Sequence, residues 1–201
     1  MRSEDWDRRY AEKELVWSAG PNRFLAAEAA DLTPGRGLDL ACGEGRNALW
    51  LAERGWQVTA VDFSRVAVEK GRRIAAERGL DVEFVVADLL EYEPALAAYD
   101  LTIVFYLQLA AGELATVLAR GAAALAPGGT FLLVGHDLRN LTAGHGGPQD
   151  ASVLYTPEDV VASLGGLEVE RAEPVERPVD GAVAIDALVR ASRSPAPAPR
   201  R

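Results

Sequence analysis

The fold is decided by the stretch Leu38-Asp39-Leu40-Ala41-Cys42-Gly43-Glu44-Gly45-Arg46-Asn47-Ala48. It begins as a short apolar strand, turns through two glycines and ends in the first turn of a helix. Two further acids each follow an apolar run, Asp62 after residues 58–61 and Asp88 after residues 84–87. Glycines allow the backbone to approach a ligand closely, and acids at successive strand ends supply acceptors. The stretch therefore predicts a site for a nucleoside.

Strand and helix patterns alternate from residue 38 to residue 135. Apolar runs predict strands at residues 38–41, 57–61, 81–87, 101–106 and 130–135. Helical spacing, caps and stop signals predict helices at about residues 45–54, 64–78 and 114–125. Such alternation predicts a parallel sheet with helices on both faces, whose ligand lies beyond the carboxyl ends of the strands.

The pattern changes after Asp137. Residues 140–152 are rich in glycine, which predicts a flexible loop. Thr156-Pro157-Glu158-Asp159 combines an N-cap with a first-position proline and first-turn acids, so a short helix is expected to begin there. Strands at 167–172 and 182–191 are separated by too few residues for a helical crossover and are expected to pair antiparallel.

The chain is expected to form a single domain over residues 1–191, long enough to bury a core. Residues 1–34 are expected to supply two helices, at about 5–15 and 21–31, that serve as a cap or lid, and residues 36–191 the sheet core. Residues 192–201 contain Pro195-Ala196-Pro197-Ala198-Pro199, and this alternation of proline with alanine predicts a disordered tail.

Charge and composition restrict the partners. The formal net charge is −9, so the chain has no general attraction to nucleic acid phosphates or anionic lipid. The first residues are too polar for a signal peptide, and no apolar run reaches the ~18 residues of a membrane span. We therefore expect a cytoplasmic protein with no nucleic acid or membrane partner. The single cysteine, Cys42, cannot form an internal disulfide.

The glycine turn has two interpretations. Gly43-x-Gly45-x-x-Ala48, followed by Asp62, fits the dinucleotide fingerprint, so an NAD-dependent oxidoreductase is one alternative. Against it, Asp39 would place a carboxylate where a pyrophosphate approaches, and that carboxylate suits a cationic ligand instead. Asp88 adds a third acid, placed for an adenine amino group, and no room remains for a separate substrate domain.

These residues carry a family resemblance. Residues 38–45 look like motif I of the class I S-adenosylmethionine-dependent methyltransferases. Asp62, Asp88, Tyr99-Asp100 and residues 125–129 resemble later landmarks of that family, in order, so the resemblance covers about residues 36–136. The opening Trp6-Asp7-x-x-Tyr10, with Trp17 and Pro21-Asn22, resembles the subgroup that contains the tellurite-resistance and thiopurine methyltransferases.

The resemblance implies an α/β fold, a Rossmann-like doubly wound seven-stranded sheet, mostly parallel with the last strand antiparallel. It implies S-adenosylmethionine as cofactor. Asp39 would attract the ammonium and Asp62 the ribose hydroxyls, Phe63 would pack on adenine, and Asp88 with Leu89 would address its edge. The full set expected to bind the cofactor is Tyr10, Trp17, Asp39, Ala41, Gly43, Gly45, Asn47, Asp62, Phe63, Ser64, Ala87, Asp88, Leu89 and Phe105.

The acceptor side is less defined. His136 ends the fifth predicted strand and is the candidate for proton transfer, although a histidine that only hydrogen-bonds within its loop is an equal alternative. His136 and His145 lack a third ligand, so no metal is expected. Phe105-Tyr106-Leu107-Gln108 lacks the Asn/Asp-Pro-Pro-aromatic signature of enzymes that methylate amino groups in nucleic acids, which favours a small-molecule acceptor.

The sequence thus predicts methyl transfer to a small molecule by in-line displacement. Two alternatives stay open: an NAD-dependent oxidoreductase, and a regulator that binds S-adenosylmethionine without catalysis.

Overall fold

The computed structural model describes residues 3–12, 15 and 20–196. Trp17 and residues 197–201 of the expected tail lie outside the described residues. The chain divides into two compact units, one ending at Glu93 and one beginning at Pro94. The single domain over residues 1–191 remains a prediction, and each unit is described by itself below.

The first unit builds a three-stranded parallel sheet. Its helices are α1 (Ser3–Ala11), α2 (Arg23–Glu28), α3 (Arg46–Ala52) and α4 (Arg65–Arg78), and its strands are β1 (Arg36–Leu40), β2 (Gln57–Asp62) and β3 (Val82–Val86). The strand order is β3-β2-β1. Leu40 pairs with Val61, and Asp62 with Val86, so the acid-bearing ends of β1 and β2 lie at the same edge.

Local sequence explains the bounds of α4. The Ser64 side chain accepts from the Ala67 amide at the N-terminus, and Gly79 ends the helix in a left-handed conformation that glycine adopts without a steric penalty. Both ends agree with the prediction.

The second unit pairs two parallel strands with an antiparallel hairpin. It contains β4 (Tyr99–Phe105), α5 (Ala111–Ala124), β5 (Leu125–His136), α6 (Asn140–Ala143), a 3₁₀ helix (Ala151–Val153), α7 (Pro157–Ala162), β6 (Glu168–Val179) and β7 (Ala182–Ser192). The strand order is β4-β5-β7-β6, with β4 parallel to β5 and β7 antiparallel to both of its neighbours. Thr156 and Asp159 form the expected capping box at the start of α7.

The predicted fold class is confirmed. Seven strands form a mixed sheet, mostly parallel, with helices around it. No helix in the described part of the chain is both long and apolar enough to cross a membrane.

The flexible loop expected at residues 140–152 is wrong in part, because it contains α6 and the 3₁₀ helix. Asn140 is buried; its amide group donates to the Gly146 carbonyl (2.7 Å) and accepts from the Ile185 amide (2.7 Å). A partner 45 residues away leaves no local sequence signal.

The tail expected from residue 192 also begins too early. Ser192 pairs with Thr130, and the Arg193 amide donates to the Gly129 carbonyl (2.9 Å). Other bounds shift as well: α1 ends at Ala11, whereas β6 continues to Val179. Nearly all of β6 is exposed, so it has no apolar alternation to mark its length.

Candidate active site

The turn after β1 has an unusual backbone. Ala41, Gly43 and Gly45 all have positive φ, of 65°, 55° and 78°. The Cys42 amide donates to the Val61 carbonyl and the Gly45 amide to the Cys42 carbonyl, which closes the turn against β2. Alanine pays a steric cost in this left-handed region that glycine does not. The turn therefore presents main-chain atoms, rather than large side chains, at the carboxyl end of β1.

Asp62 fastens this turn from β2. Its Oδ2 accepts from the Gly43 amide and its Oδ1 from the Ser64 amide, each at 2.9 Å. The carboxyl group is buried, which raises its pKa, and these two hydrogen bonds partly offset the rise. Each carboxylate oxygen can accept a further hydrogen bond, so Asp62 is fixed in place and still able to bind a hydroxyl.

Asp39, in β1 just before the turn, is a buried acid without a hydrogen-bond partner among the described residues. It is 1% exposed, and neither carboxylate oxygen has a hydrogen-bond partner within the described residues. Burial, and then the charge of Asp62, raise its pKa to about 7, against smaller lowering effects of Arg46 and the Ala48 amide. A buried carboxylate without a partner is costly unless a cation or donor reaches it. The site therefore fits a positively charged ligand group.

The Phe84 ring packs against two glycines that only the structure brings together. A Cβ at Gly45 or at Gly71 would lie 2.6 Å from the Cε1 atom of Phe84. Gly45 belongs to the turn and Gly71 to α4, so the Phe84 ring limits how closely the turn and α4 approach β3. The sequence analysis did not identify Gly71 or Phe84 in this role.

Helix α1 is attached to α4 by polar contacts. The Ser64 hydroxyl donates to Asp7 (2.5 Å), and Lys70 donates to the main-chain carbonyl of Tyr10. Lys70 also lies 3.3 Å from the buried Glu44. Ser64 and Tyr10, both expected to bind the cofactor, thus have structural contacts of their own.

The other expected residues of this unit differ in surroundings. Asn47 is buried and accepts from the Asn22 amide (2.9 Å), which positions α2. Phe63 and Ala87 are partly exposed, and Leu89 is buried. Asp88 is exposed, with its carboxylate accepting from the Leu90 amide (2.9 Å).

The second unit has a buried polar cluster at the ends of β4 and β5. Tyr106 follows Phe105, which is buried, and has a φ of 55°. Its hydroxyl donates to Oδ2 of Asp186 (2.8 Å), and its ring centroid lies 4.8 Å from that of His136. A tyrosine held in the left-handed region is strained, and such strain is concentrated at functional sites.

Asp186 is the centre of this cluster. It is fully buried. Arg177 donates to it twice, from Nε to Oδ2 (2.6 Å) and from Nη2 to Oδ1 (3.3 Å). His136 Nδ1 lies 3.5 Å from Oδ1. Burial raises the pKa of Asp186, but the contacts with His136, Arg177 and Tyr106 outweigh it, so the net pKa lies below its ordinary value. The carboxylate is ionised at neutral pH.

Tyr155 completes the cluster. Its hydroxyl is buried without a hydrogen-bond partner in the described ranges, above Gly135, where a Cβ would lie 1.7 Å away. Burial, with Tyr106 and Asp186, raises its pKa. His145 is exposed, and within the described residues no three metal-ligating side chains are grouped together.

Sequence reasoning named His136 and Phe105 as candidates but did not single out Asp186, Arg177 or Tyr155. Asp186 lies 50 residues after His136 and meets it only through the pairing of β5 with β7. A charged residue inside the apolar run 182–191 was the one available signal.

A family model and two curated relatives show that part of the chain is similar to methyltransferases. Residues 38–129 match the family model described as a methyltransferase domain. A demethylmenaquinone methyltransferase of Thermus thermophilus is 39% identical over 126 residues, 56% of this chain and 57% of that protein. A ribosomal RNA small subunit methyltransferase C of Alcanivorax borkumensis is 36% identical over 70 residues, 35% of this chain and 21% of that protein.

Solved structures agree with the fold. Magnesium protoporphyrin IX methyltransferase from Synechocystis, with bound S-adenosylmethionine, superposes with a TM-score of 0.65 at 18% identity, over 96% of this chain and 79% of that one. TehB from Haemophilus influenzae gives a TM-score of 0.72 at 16% identity, over 94% and 66%.

These comparisons confirm the resemblance to methyltransferases over residues 38–129, and with it the Rossmann-like fold. They support S-adenosylmethionine as cofactor. The match spans only 21% to 57% of the length of the two curated relatives. At 16% identity, the likeness to TehB shows the fold alone.

Proposed function

We propose that the chain is an S-adenosylmethionine-dependent methyltransferase that transfers a methyl group to a small-molecule acceptor. The observation that carries the proposal is Asp39, a buried carboxylate without a hydrogen-bond partner among the described residues, at the start of the matched methyltransferase domain. The ammonium of the cofactor's methionine part is the cation that such a site requires.

The described residues of the first unit fit this cofactor. Asp39 would bind the ammonium, the backbone of Ala41, Gly43 and Gly45 would approach the methionine part, and Asp62 would accept from the ribose hydroxyls. Phe63 would pack on adenine, and Asp88 with Leu89 would address its edge. Tyr10, Asn47, Ser64 and Ala87 would support this set, and Phe105 stays a prediction. Trp17 stays a prediction.

The chemistry places limited demands on the protein. The bound cofactor supplies a methyl group on a sulfonium, which is electrophilic without further activation. The protein residues orient the nucleophile in line with that group and exclude water, and such positioning supplies ~7–11 kcal/mol in favourable cases. Only an acceptor that must lose a proton needs a base, for which His136 is the candidate.

A small-molecule acceptor is supported by charge. At −9 the chain repels the phosphates of a nucleic acid, unlike a protein that neutralises several of them with lysine and arginine. The relatives do not decide the question, since by name one acts on ribosomal RNA and another on demethylmenaquinone. A cytoplasmic location likewise remains a prediction from the sequence.

The finer relationship to the tellurite-resistance and thiopurine subgroup is proposed from the aromatic opening. Of that opening, the described residues Trp6 and Tyr10 place their ring centroids 5.7 Å apart in α1. We propose the relationship to the subgroup for this N-terminal helix alone, and we infer nothing from it about the acceptor.

Calorimetric titration with S-adenosylhomocysteine tests the proposal. We expect the native protein to bind. In Asp62→Ala the affinity should fall by about 100-fold, because a pair of hydroxyl contacts is missing. The control variant Asp81→Ala, at an exposed residue before β3, should keep the native affinity. Undiminished binding by Asp62→Ala, or none by the native protein, contradicts the proposal. Saturable NADH binding would favour the oxidoreductase. Tight binding without methylated product from an acceptor panel would favour the regulator.

A further inference from the structure

Lys70 lies where three parts of the first unit meet. Its side chain extends from α4 and is 14% exposed. The ammonium donates to the main-chain carbonyl of Tyr10, in the last turn of α1. It also lies 3.3 Å from Oε1 of Glu44, which belongs to the turn after β1 (residues 41–45). Lys70 therefore contacts the N-terminal helix and the proposed cofactor turn at the same time.

The contact between Lys70 and Glu44 ties the turn to α4. Glu44 is 3% exposed, and a buried carboxylate is costly unless a cation or a donor reaches it. The main chain of the turn packs tightly beside the pair: a Cβ at Gly71 would lie 3.0 Å from the Glu44 carbonyl oxygen. A shift of the turn along α4 would separate Glu44 from the ammonium, so the position of Lys70 and the conformation of the turn depend on each other.

Helix α1 depends on its contacts with α4. It is nine residues long, and among these residues, all within the described part of the chain, Tyr10 alone is buried. A helix of this length is marginal in water on its own. Lys70 binds a carbonyl at the C-terminal end of α1, where the helix leaves carbonyls without helical partners and where a cation is favourable. This contact therefore stabilises both the helical form of α1 and its position on α4.

A second attachment of α1 also leads to the proposed cofactor site. Asp7 accepts from the Ser64 hydroxyl (2.5 Å) and from the Val66 amide (3.3 Å), at the N-terminus of α4. The Ser64 amide in turn donates to Oδ1 of Asp62 (2.9 Å). Both attachments of α1 therefore end on residues that also hold Asp62 or the turn. A ligand that orders Asp62 and the turn stabilises the same groups to which α1 is attached.

We propose that Lys70 is a positioning residue that couples cofactor binding to the docking of α1 on α4. This inference rests on the proposed function and adds a means of regulating the same site. A cofactor on the turn fixes Glu44, and Glu44 fixes the ammonium of Lys70 at the end of α1. Docked α1 in turn holds the ammonium against Glu44. Because binding free energies are linked, cofactor binding and docking favour each other by the same factor.

Hydrogen exchange of the full chain, measured by mass spectrometry with and without saturating S-adenosylhomocysteine, tests the inference. The amides of residues 7–12 report on α1, because they carry its helical hydrogen bonds and exchange when it opens locally. We expect S-adenosylhomocysteine to slow their exchange in the native protein by about fivefold or more.

Two substitutions in α4 form a matched pair. Lys70→Met removes the ammonium, and Arg73→Met removes an exposed cation whose ion pair is with Glu77 of the same helix (3.8 Å). In Lys70→Met the slowing should fall to less than about twofold, and the affinity for S-adenosylhomocysteine should fall by about the factor by which exchange slows in the native protein. Arg73→Met should keep the native slowing and affinity. The double variant Glu44→Gln with Lys70→Met leaves neither charge of the pair unpaired and should behave as Lys70→Met does.

Exchange of α1 that S-adenosylhomocysteine leaves unchanged in the native protein overturns the inference, and so does the full native slowing in Lys70→Met. The native comparison can overturn the inference even if neither variant of Lys70 folds. Binding of S-adenosylhomocysteine without slowed exchange contradicts the inference alone. An absence of binding contradicts the proposed function, and the inference with it.

Discussion

Phe84 and Gly71 are in complementary contact: a Cβ on Gly71 would lie 2.6 Å from Cε1 and 2.7 Å from Cζ of the Phe84 ring. The same ring leaves equally little room at Gly45. The ring on β3 thus fixes how closely α4 and the turn after β1 approach that strand.

We predict that Gly71→Ala lowers the free energy of unfolding by about 1–3 kcal/mol, although alanine is the better helix former. The control is Gly112→Ala in α5, where nothing lies within 4 Å of the new methyl group and stability should stay equal or rise. Denaturant unfolding measures both. If the ring is the cause, adding Phe84→Leu should remove most of the difference; additive effects of the two substitutions contradict it.

The buried state of Asp39 predicts that stability falls with rising pH. Below about pH 4 the carboxyl is protonated in both states. Between there and its raised pKa of about 7 the unfolded chain releases the proton and the folded chain retains it. Asp39→Asn removes this loss, so it should match the native protein near pH 4 and exceed its stability above pH 7 by up to about 4 kcal/mol. Unfolding curves across this range check it, and a variant less stable at pH 8 contradicts it.

Two tyrosines of the second unit offer a matched pair. Tyr106→Phe deletes a hydrogen bond to an ionised carboxylate and is expected to cost about 1.5–3 kcal/mol. Tyr155→Phe deletes a buried hydroxyl that has no partner in the described residues, and it should be neutral or stabilising. Thermal unfolding of both variants checks the contrast. Equal losses of stability in the two variants would contradict a stabilising hydrogen bond from Tyr106 to Asp186.

Ala41, in the turn after β1, is a non-glycine residue with a positive φ. With a φ of 65° it is strained by about 1–2 kcal/mol, and part of any gain from glycine is offset by the entropy of the unfolded chain. We therefore expect Ala41→Gly to raise the melting temperature by about 1–4 °C, with unchanged affinity for S-adenosylhomocysteine. Ala97→Gly, at an exposed residue with a φ of 50°, should act in the same direction without any effect on binding. A lower melting temperature in Ala41→Gly contradicts this reading of the turn.

The sequence was sufficient for features that depend on neighbours along the chain. The Ser64 cap and the Gly79 stop are local signals, and each lies where expected. Asp39 and Asp62 could be placed because a strand end is a local feature too.

Features that depend on distant residues were not visible. The sequence predicts Asn140 to lie in a loop, because its partner, Ile185, lies on another strand and leaves no local signal. Asp186 lies within an apolar strand pattern, and only the register of β5 and β7 places it beside His136. The strand β6 was predicted too short, because an exposed edge carries no apolar alternation.

The central claim is that Asp39 binds the ammonium of the methyl donor. The most direct measurement compares S-adenosylhomocysteine with its analogue that lacks the amino group, by calorimetry at pH 8, on native protein and Asp39→Asn. We predict that the native protein prefers the amino form by at least tenfold, about 1.4 kcal/mol, and that Asp39→Asn loses this preference while it remains folded. A preference that survives in Asp39→Asn would contradict the account.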